Sequence, residues 1–416
     1  MLPRKAFKSF FVLTFVLLLS ACSTIQLSNT QLESIETSLS QLLQDDVFPV
    51  TLDQIDVSND NLFQLTTSMK AELDTQVSGF RTELQRYEAL RHWVYQRVQD
   101  FDYDPSITVR IDKLDSVEKI NCLSFSILFV AAARYVDVPA KIQLVYTPPN
   151  WDAIDDNWVQ VQHINVVGNV FGYVDSTTLP PKEFQNLTRG VFINQDYKRI
   201  GATFRYIVDI NPEMTKTNHK SVILSDNEVI SRFYNNKAAA NILSGKYNEA
   251  YIYNKKALLS DKLSPEAWNN LGVLYTKINH IQTAQKALLI ALEIDPEAGI
   301  SINNLYSNYL RLSQKLNADS LKQTLSLHNK SNPYYYHKLG IENAQAGNYK
   351  KAVELLELAI ELKNDESMFY LSLAKIQMKL NQRTLALKSI EKATNVKDKR
   401  AGIYEESLDE KLLTKS

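Results

Sequence analysis

Cysteine is scarce in this chain, with two residues among 416, Cys22 and Cys122. Cys22 closes an N-terminal segment of secretory type, so neither cysteine is left to pair within the chain, and Cys122 is expected as a free thiol. Long apolar runs are missing too. The stretch from Phe10 to Leu19, broken only by Thr14, falls short of the roughly 20 residues a membrane-spanning helix needs, and no later segment approaches that length. Charge of one sign is also absent: 46 basic residues stand against 47 acidic ones. No Lys/Arg stripe is interleaved with aromatics, which argues against nucleic acid as a partner. His92, His219, His280, His328 and His337 form no cluster with carboxylates or thiols at ligand spacing, so no zinc is expected. Asp152, Asp155 and Asp156 lack the spacing of a defined Ca²⁺ loop and read as a solvated loop. The sequence calls for no metal and no cofactor.

What is present suggests two or three globular domains, with 44% apolar residues to build cores. Residues 1–21 have a basic start (Arg4, Lys5, Lys8), an apolar centre and small residues before Cys22, the layout of a cleaved export signal. Leu19-Ser20-Ala21-Cys22 resembles the lipobox of bacterial lipoproteins. That resemblance implies acylation of Cys22 and membrane attachment through an N-terminal lipid. Ser23 after the cysteine resembles the pattern of outer-membrane lipoproteins facing the periplasm. Residues 22–59 read as a polar tether, tolerant of disorder, with a short helix around Gln31 to Leu43.

The C-terminal half repeats with a period of 34. Blocks starting at Ser231, Pro265, Gly299, Pro333 and Ser367 place Ala250, Ala284, Ala318, Ala352 and Ala386 in phase. Ala257, Ala291, Ala359 and Ala393 recur seven residues later, with Leu325 in the third, degenerate block. Small residues in phase let antiparallel helices pack closely, while Trp268, Leu271, Tyr275 and Leu288 fill the groove to the next pair. The pattern, best expressed in Trp268, Leu271, Gly272, Tyr275, Ala284, Ala291 and Pro296, resembles the tetratricopeptide repeat. It implies five helix pairs over residues 231–400, a curved all-α solenoid with a protein partner on its concave face, and a capping helix within 401–416.

Residues 60–189 read as an α+β domain, followed by a β-rich stretch and linker over 190–230. Helix-spaced apolar residues fall in Asn61 to Ser78 and Thr82 to Val98; Phe101 to Ile107 looks extended. Leu123 to Val136 is a buried helix, and Cys122 sits in its first turn, where unpaired N–H groups and the helix dipole favour a thiolate. Ala140 to Tyr146, Val159 to Val167 and Val170 to Asp175 have β composition. Asn121-Cys122-Leu123-Ser124-Phe125-Ser126, the run Ala131 to Lys141, Gln162-His163-Ile164-Asn165 and Tyr173-Val174-Asp175-Ser176 resemble the transglutaminase-like core of the papain-like cysteine enzymes. Trp93 stands in a preceding helix, where that family often has tryptophan. The family usually has glycine where Ile120 stands.

The resemblance implies a triad of Cys122, His163 and Asp175, spaced by 41 and 12 residues. Cys122 would attack an amide or ester carbonyl, His163 would move the proton, and Asp175 would fix the imidazole tautomer. The expected function is a membrane-anchored acyl-transfer enzyme, a peptidase, amidase or transglutaminase, acting on envelope proteins or peptides recruited by the repeats. The competing class is a non-catalytic adaptor that binds partners through the repeats. Val167-Gly168-Asn169-Val170 invites a hairpin turn. Bringing Asp175 to His163 across it requires an odd-length loop or a bulge, because an even two-residue turn puts them on opposite faces.

Overall fold

The computed structural model describes residues 27–49, 62–154, 157–175, 199–210 and 220–396. The N-terminal part opens with α1 (Asn29–Leu42), α2 (Thr67–Gln76) and α3 (Glu83–Val98). Each begins at a Ser or Thr whose hydroxyl accepts from a first-turn amide, and in α1 and α3 a glutamine completes a capping box. Two short parallel strands, β1 (Asp102–Tyr103) and β2 (Lys119–Ile120), precede α4 (Cys122–Tyr135). The apolar surface of α4 is buried almost all round, as befits a helix that is apolar on every side.

The sheet departs from the sequence reading. Strands β3 (Lys141–Ile154), β4 (Asn157–Asp175), β5 (Arg199–Val208) and β6 (Ser221–Ile223) form one antiparallel sheet in the order β5-β4-β3-β6. No turn interrupts Val167-Gly168-Asn169-Val170: β4 runs straight through, paired with β5 from Val166 to Asp175. The glycines that suggest a turn answer a packing need instead. A Cβ on Gly168 would lie 2.1 Å from the Pro139 carbonyl oxygen, and one on Gly172 would lie 2.4 Å from Leu84 Cβ. These glycines let α3 and the segment after α4 press against the sheet. The loop expected at Asp152 is likewise strand, continuing to Ile154; residues 155 and 156 lie outside the described residues. The stretch expected as β-rich and linker supplies β5 and β6, two of the four strands of this sheet.

The C-terminal part is ten helices in five pairs: α5 (Asp226–Leu243) with α6 (Tyr247–Ser260), α7 (Pro265–Lys277) with α8 (Ile281–Ile294), and α9 (Gly299–Arg311) with α10 (Lys315–His328). The fourth pair is α11 (Pro333–Gln345) with α12 (Tyr349–Leu362), and the fifth α13 (Ser367–Lys379) with α14 (Arg383–Asn395). All five phased alanines from Ala250 to Ala386 are fully buried, as close helix packing requires. Each pair turns through a residue with positive φ at the same phase: Gly245, Asn279, Ser313, Gly347 and Asn381. Gly and Asn tolerate that left-handed conformation best. First helices of neighbouring pairs meet (α5 with α7, α7 with α9, α11 with α13), while second helices meet more sparsely. The stack therefore curves toward the first helices, which line its inner face.

Residues 27–49 are not a free tether. Ile35, Leu42 and Phe48 are buried, and Phe48 stacks on Tyr251 at 4.3 Å. Tyr275 Oη donates to the Leu42 carbonyl at 2.6 Å, and Asp45 accepts from Lys255 Nζ and Tyr251 Oη. The helix expected near Gln31 to Leu43 is thus present and docked onto the first two repeats. One continuous hydrophobic core runs from Ile35 through the sheet domain to Ala291, whereas the fourth and fifth repeats hold separate small clusters. Residues 401–413, expected as a capping helix, lie outside the described residues. No helix among the described residues is long and apolar enough to cross a membrane.

The inner face carries an acid-sensitive group. His337 Nε2 lies 2.8 Å from Ser372 Oγ, and burial pushes its pKa down from 6.5 to about 4. A depressed histidine favours the folded state only while neutral, so its contribution is complete above pH 6.5 and disappears as pH falls toward 4. Thermal unfolding of the last repeats should show a loss of order 3 kcal/mol across that window. His337→Gln should flatten the dependence; an unchanged acid slope in that variant would refute the assignment.

Candidate functional site

Cys122 stands at the first position of α4 and is 7% exposed. The helix start is built by Asn121, whose Oδ1 accepts from Ser124 N and Ser124 Oγ, both at 2.9 Å. Its Nδ2 donates to Thr108 Oγ1 at 2.7 Å, and Ser124 Oγ in turn accepts from Val109 N at 2.8 Å. Asn121, Ser124 and Thr108 are all buried, so this is a closed polar network that fixes the first turn. Ile120, the departure from the family pattern, is fully buried and pairs in β2 with Tyr103 of β1. It points to the core, and its pairing brings Tyr103 to the thiol.

The sulfur's surroundings are mixed. Burial raises the Cys122 pKa and the negative Asp209 adds to the rise, while the Ile164 and Leu123 amides and the Tyr103 hydroxyl oppose it by hydrogen bonding. Burial dominates, so helix-start activation does not by itself yield a resting thiolate, contrary to the expectation from position alone. The Tyr103 ring is half exposed, but its hydroxyl is desolvated beside the thiol, which raises its pKa first, with the Cys122 and Asp209 charges adding to the rise.

His163 precedes Ile164 on β4, and its Nε2 meets Asp209 Oδ2 at 2.5 Å. The side chain of Asp209, just past the end of β5, is fully buried. Its Oδ2 also accepts from Asn165 Nδ2 at 2.9 Å, and Asn165 Oδ1 accepts from Gln143 Nε2 at 2.8 Å. Gln143 and Asn165 are directly opposite in the β3–β4 register, so a buried carboxamide chain across the sheet holds the carboxylate in place. Beside His163 the β3–β4 register shifts between Val145 and Asn150. Pro148 and Pro149 fall within that shift and have no N–H to offer the ladder.

Asp175, expected as the third member of a triad, does not stand beside His163. Asp175 pairs with Arg199 at the far end of β4, twelve residues beyond His163, or about 40 Å at the rise of an extended strand. Its backbone position alone removes it from the site, and Asp209 stands where Asp175 was expected. The structure gathers Tyr103, the Ile164 amide and Asp209 about the Cys122 thiol, with His163 held on Asp209. Sequence reasoning missed Tyr103 and Asp209; the one signal for Asp209 was a lone carboxylate ending a β-branched run. Cys22 lies outside the described residues. Among the described residues, no group of three or more His, Cys, Asp or Glu side chains could hold a metal ion.

A tetratricopeptide-repeat family profile matches residues 265–297 and 333–366, the second and fourth helix pairs. No curated protein sequence matches. Among solved structures, similarity is found to MamA (24% identity, 40% of this chain and 96% of that one, TM-score 0.30). It extends to MamA from Desulfovibrio magneticus RS-1 (17%, 40% and 94%, 0.30). YrrB, described as a TPR protein with an unusual peptide-binding site, is similar at 18% identity over 42% and 92% of the two chains, TM-score 0.28. With the five in-phase helix pairs, the profile match establishes that the C-terminal half of this chain carries tetratricopeptide repeats, a protein-interaction scaffold.

Proposed function

We propose that the protein is an adaptor that binds an extended polypeptide on the inner face of its repeats. The observation that carries this is a phased carboxamide row: Asn235-Asn236, Asn269-Asn270 and Asn303-Asn304 recur at 34-residue intervals on the inner helices α5, α7 and α9. Asn270 Nδ2 donates to Asn235 Oδ1 at 2.8 Å and Asn304 Nδ2 to Asn269 Oδ1 at 2.9 Å. Carboxamides present both donor and acceptor, the complement of a main chain in extended form. Peptide-array hits measured by fluorescence anisotropy should lose affinity in Asn270→Ala and keep it in Leu289→Ala, an exposed position on the second helix α8. Loss in the outer variant alone would contradict this reading.

A second reading adds chemistry and is favoured by the His163–Asp209 pair beside Cys122. On this reading the N-terminal domain is transglutaminase-like and performs acyl transfer. Cys122 Sγ attacks an amide or ester carbonyl, His163 takes the thiol proton and returns it to the leaving group, and Asp209 orients the ring. The Tyr103 hydroxyl and the backbone N–H groups near the sulfur are donors for the developing oxyanion.

The lipobox-like residues before Cys22 support a lipid anchor at the bacterial envelope. Ser28, the N-cap of α1, is the sixth residue after Cys22, a reach of at most about 20 Å. An acylated Cys22 would hold the docked repeats close to the bilayer, and Cys22→Ala would release the protein to the soluble fraction.

A further inference from the structure

The first repeat reaches the thiol centre directly. Asn236, on the inner helix α5, donates through Nδ2 to Thr108 Oγ1 at 3.2 Å. The same oxygen accepts from Asn121 Nδ2 at 2.7 Å, and Asn121 caps the helix that begins with Cys122. Two carboxamides, one from each half of the molecule, thus meet on one buried hydroxyl. Other contacts keep the halves in register: Arg134 and Asp226 form a bidentate pair at 2.9 and 2.7 Å, β4 touches α9, and β3 touches α11.

We infer that Asn236 and Thr108 are positioning residues for Cys122, a relay through which occupancy of the repeats' inner face is transmitted to the thiol. Asn236 belongs to the carboxamide row assigned above to polypeptide binding. A main chain that draws Asn236 away from Thr108 releases one of the two donors on that hydroxyl. Thr108 is then held by Asn121 alone and can turn, so the Asn121 side chain is less firmly fixed and the first-turn amides lose their alignment on the sulfur. The inference rests on the thiol reading for its purpose, not for its measurement.

The test is the rate of Cys122 alkylation by iodoacetamide from pH 6 to 10, in the full chain carrying Cys22→Ala so that one thiol reports. Thr108→Val keeps the shape and removes the acceptor. Thr108→Val and Asn236→Ala should slow alkylation near neutral pH by roughly three- to tenfold and move the midpoint of the profile to higher pH. Thr108→Ser should restore the wild-type profile, and Asn241→Ala, on the same helix, should leave it unmoved. An unchanged profile in Thr108→Val and Asn236→Ala overturns the relay. So does uniform acceleration at all pH values without a midpoint shift, the mark of a buried thiol merely loosened. If His163→Ala leaves the profile unchanged, the acyl-transfer reading falls while the relay result stands.

Discussion

Asp209→Asn should slow acylation of Cys122 by about two to four orders of magnitude, while Asp175→Asn should leave it within about twofold of wild type. The expectation follows from the hydrogen bond between His163 Nε2 and the Asp209 carboxylate. An amide there cannot stabilise the imidazolium that forms when the ring accepts the thiol proton, and it offers a donor as readily as an acceptor. Two hundredfold corresponds to about 3 kcal/mol in the barrier, which is within reach of one buried, oriented charge. The Asn165 and Gln143 carboxamides stay in place in such a variant, so the fold is expected to persist. Stopped-flow measurement with an activated acyl ester, on the Cys22→Ala chain, separates the two aspartates in one experiment. Equal effects at the two positions would return the third member of the site to doubt.

Trp268→Ala should destabilise the whole molecule by roughly 3–5 kcal/mol, whereas Phe369→Ala should unfold only the end of the array. Both rings are fully buried, but they belong to different cores. Trp268 lies in the cluster that runs unbroken from Ile35 through the sheet domain to the second repeat, and its Nε1 donates to the Lys262 carbonyl at 2.9 Å. Phe369 packs with Tyr334 and Ala359 in a separate cluster. Repeat arrays transmit stability between neighbours only as far as their interfaces are continuous. Trp268→Ala should therefore lower the denaturant midpoint at which Cys122 becomes reactive, and Phe369→Ala should leave that midpoint in place while reducing the last helical transition. A shared shift in both variants would show one cooperative core instead.

The two halves of the chain were unequally legible in sequence. The repeats announced themselves because one packing solution recurs: a small residue where two helices cross must fall at the same phase each time, and Ala250 to Ala386 do. The five left-handed turn residues from Gly245 to Asn381 carry the same period and could have been read with them. Cys122 was legible from its place at the start of an apolar run, and His163 from its β-rich setting. Asp209 was not, because its approach to His163 depends on β5 lying beside β4, a pairing across 46 residues of sequence that no local spacing encodes. Gly168 misled for a related reason. Glycine answers both a turn's backbone and a neighbour's close approach, and only the contact with Pro139 and Tyr206 decides between them. Ile120 also reads differently in place: its pairing with Tyr103 supplies a hydroxyl to the site.

The inner carboxamide row and the relay through Thr108 join these halves into one account, in which a polypeptide bound by the repeats is presented to a thiol centre of Cys122, His163 and Asp209. Its most direct test is intact-mass analysis of the Cys22→Ala chain after brief exposure to an activated acyl ester. The account predicts one acyl group added to the folded protein, mapped to Cys122, and none in His163→Ala over the same time. Equal acylation in wild type and His163→Ala, or modification of Cys122 only after the protein is unfolded, would contradict it.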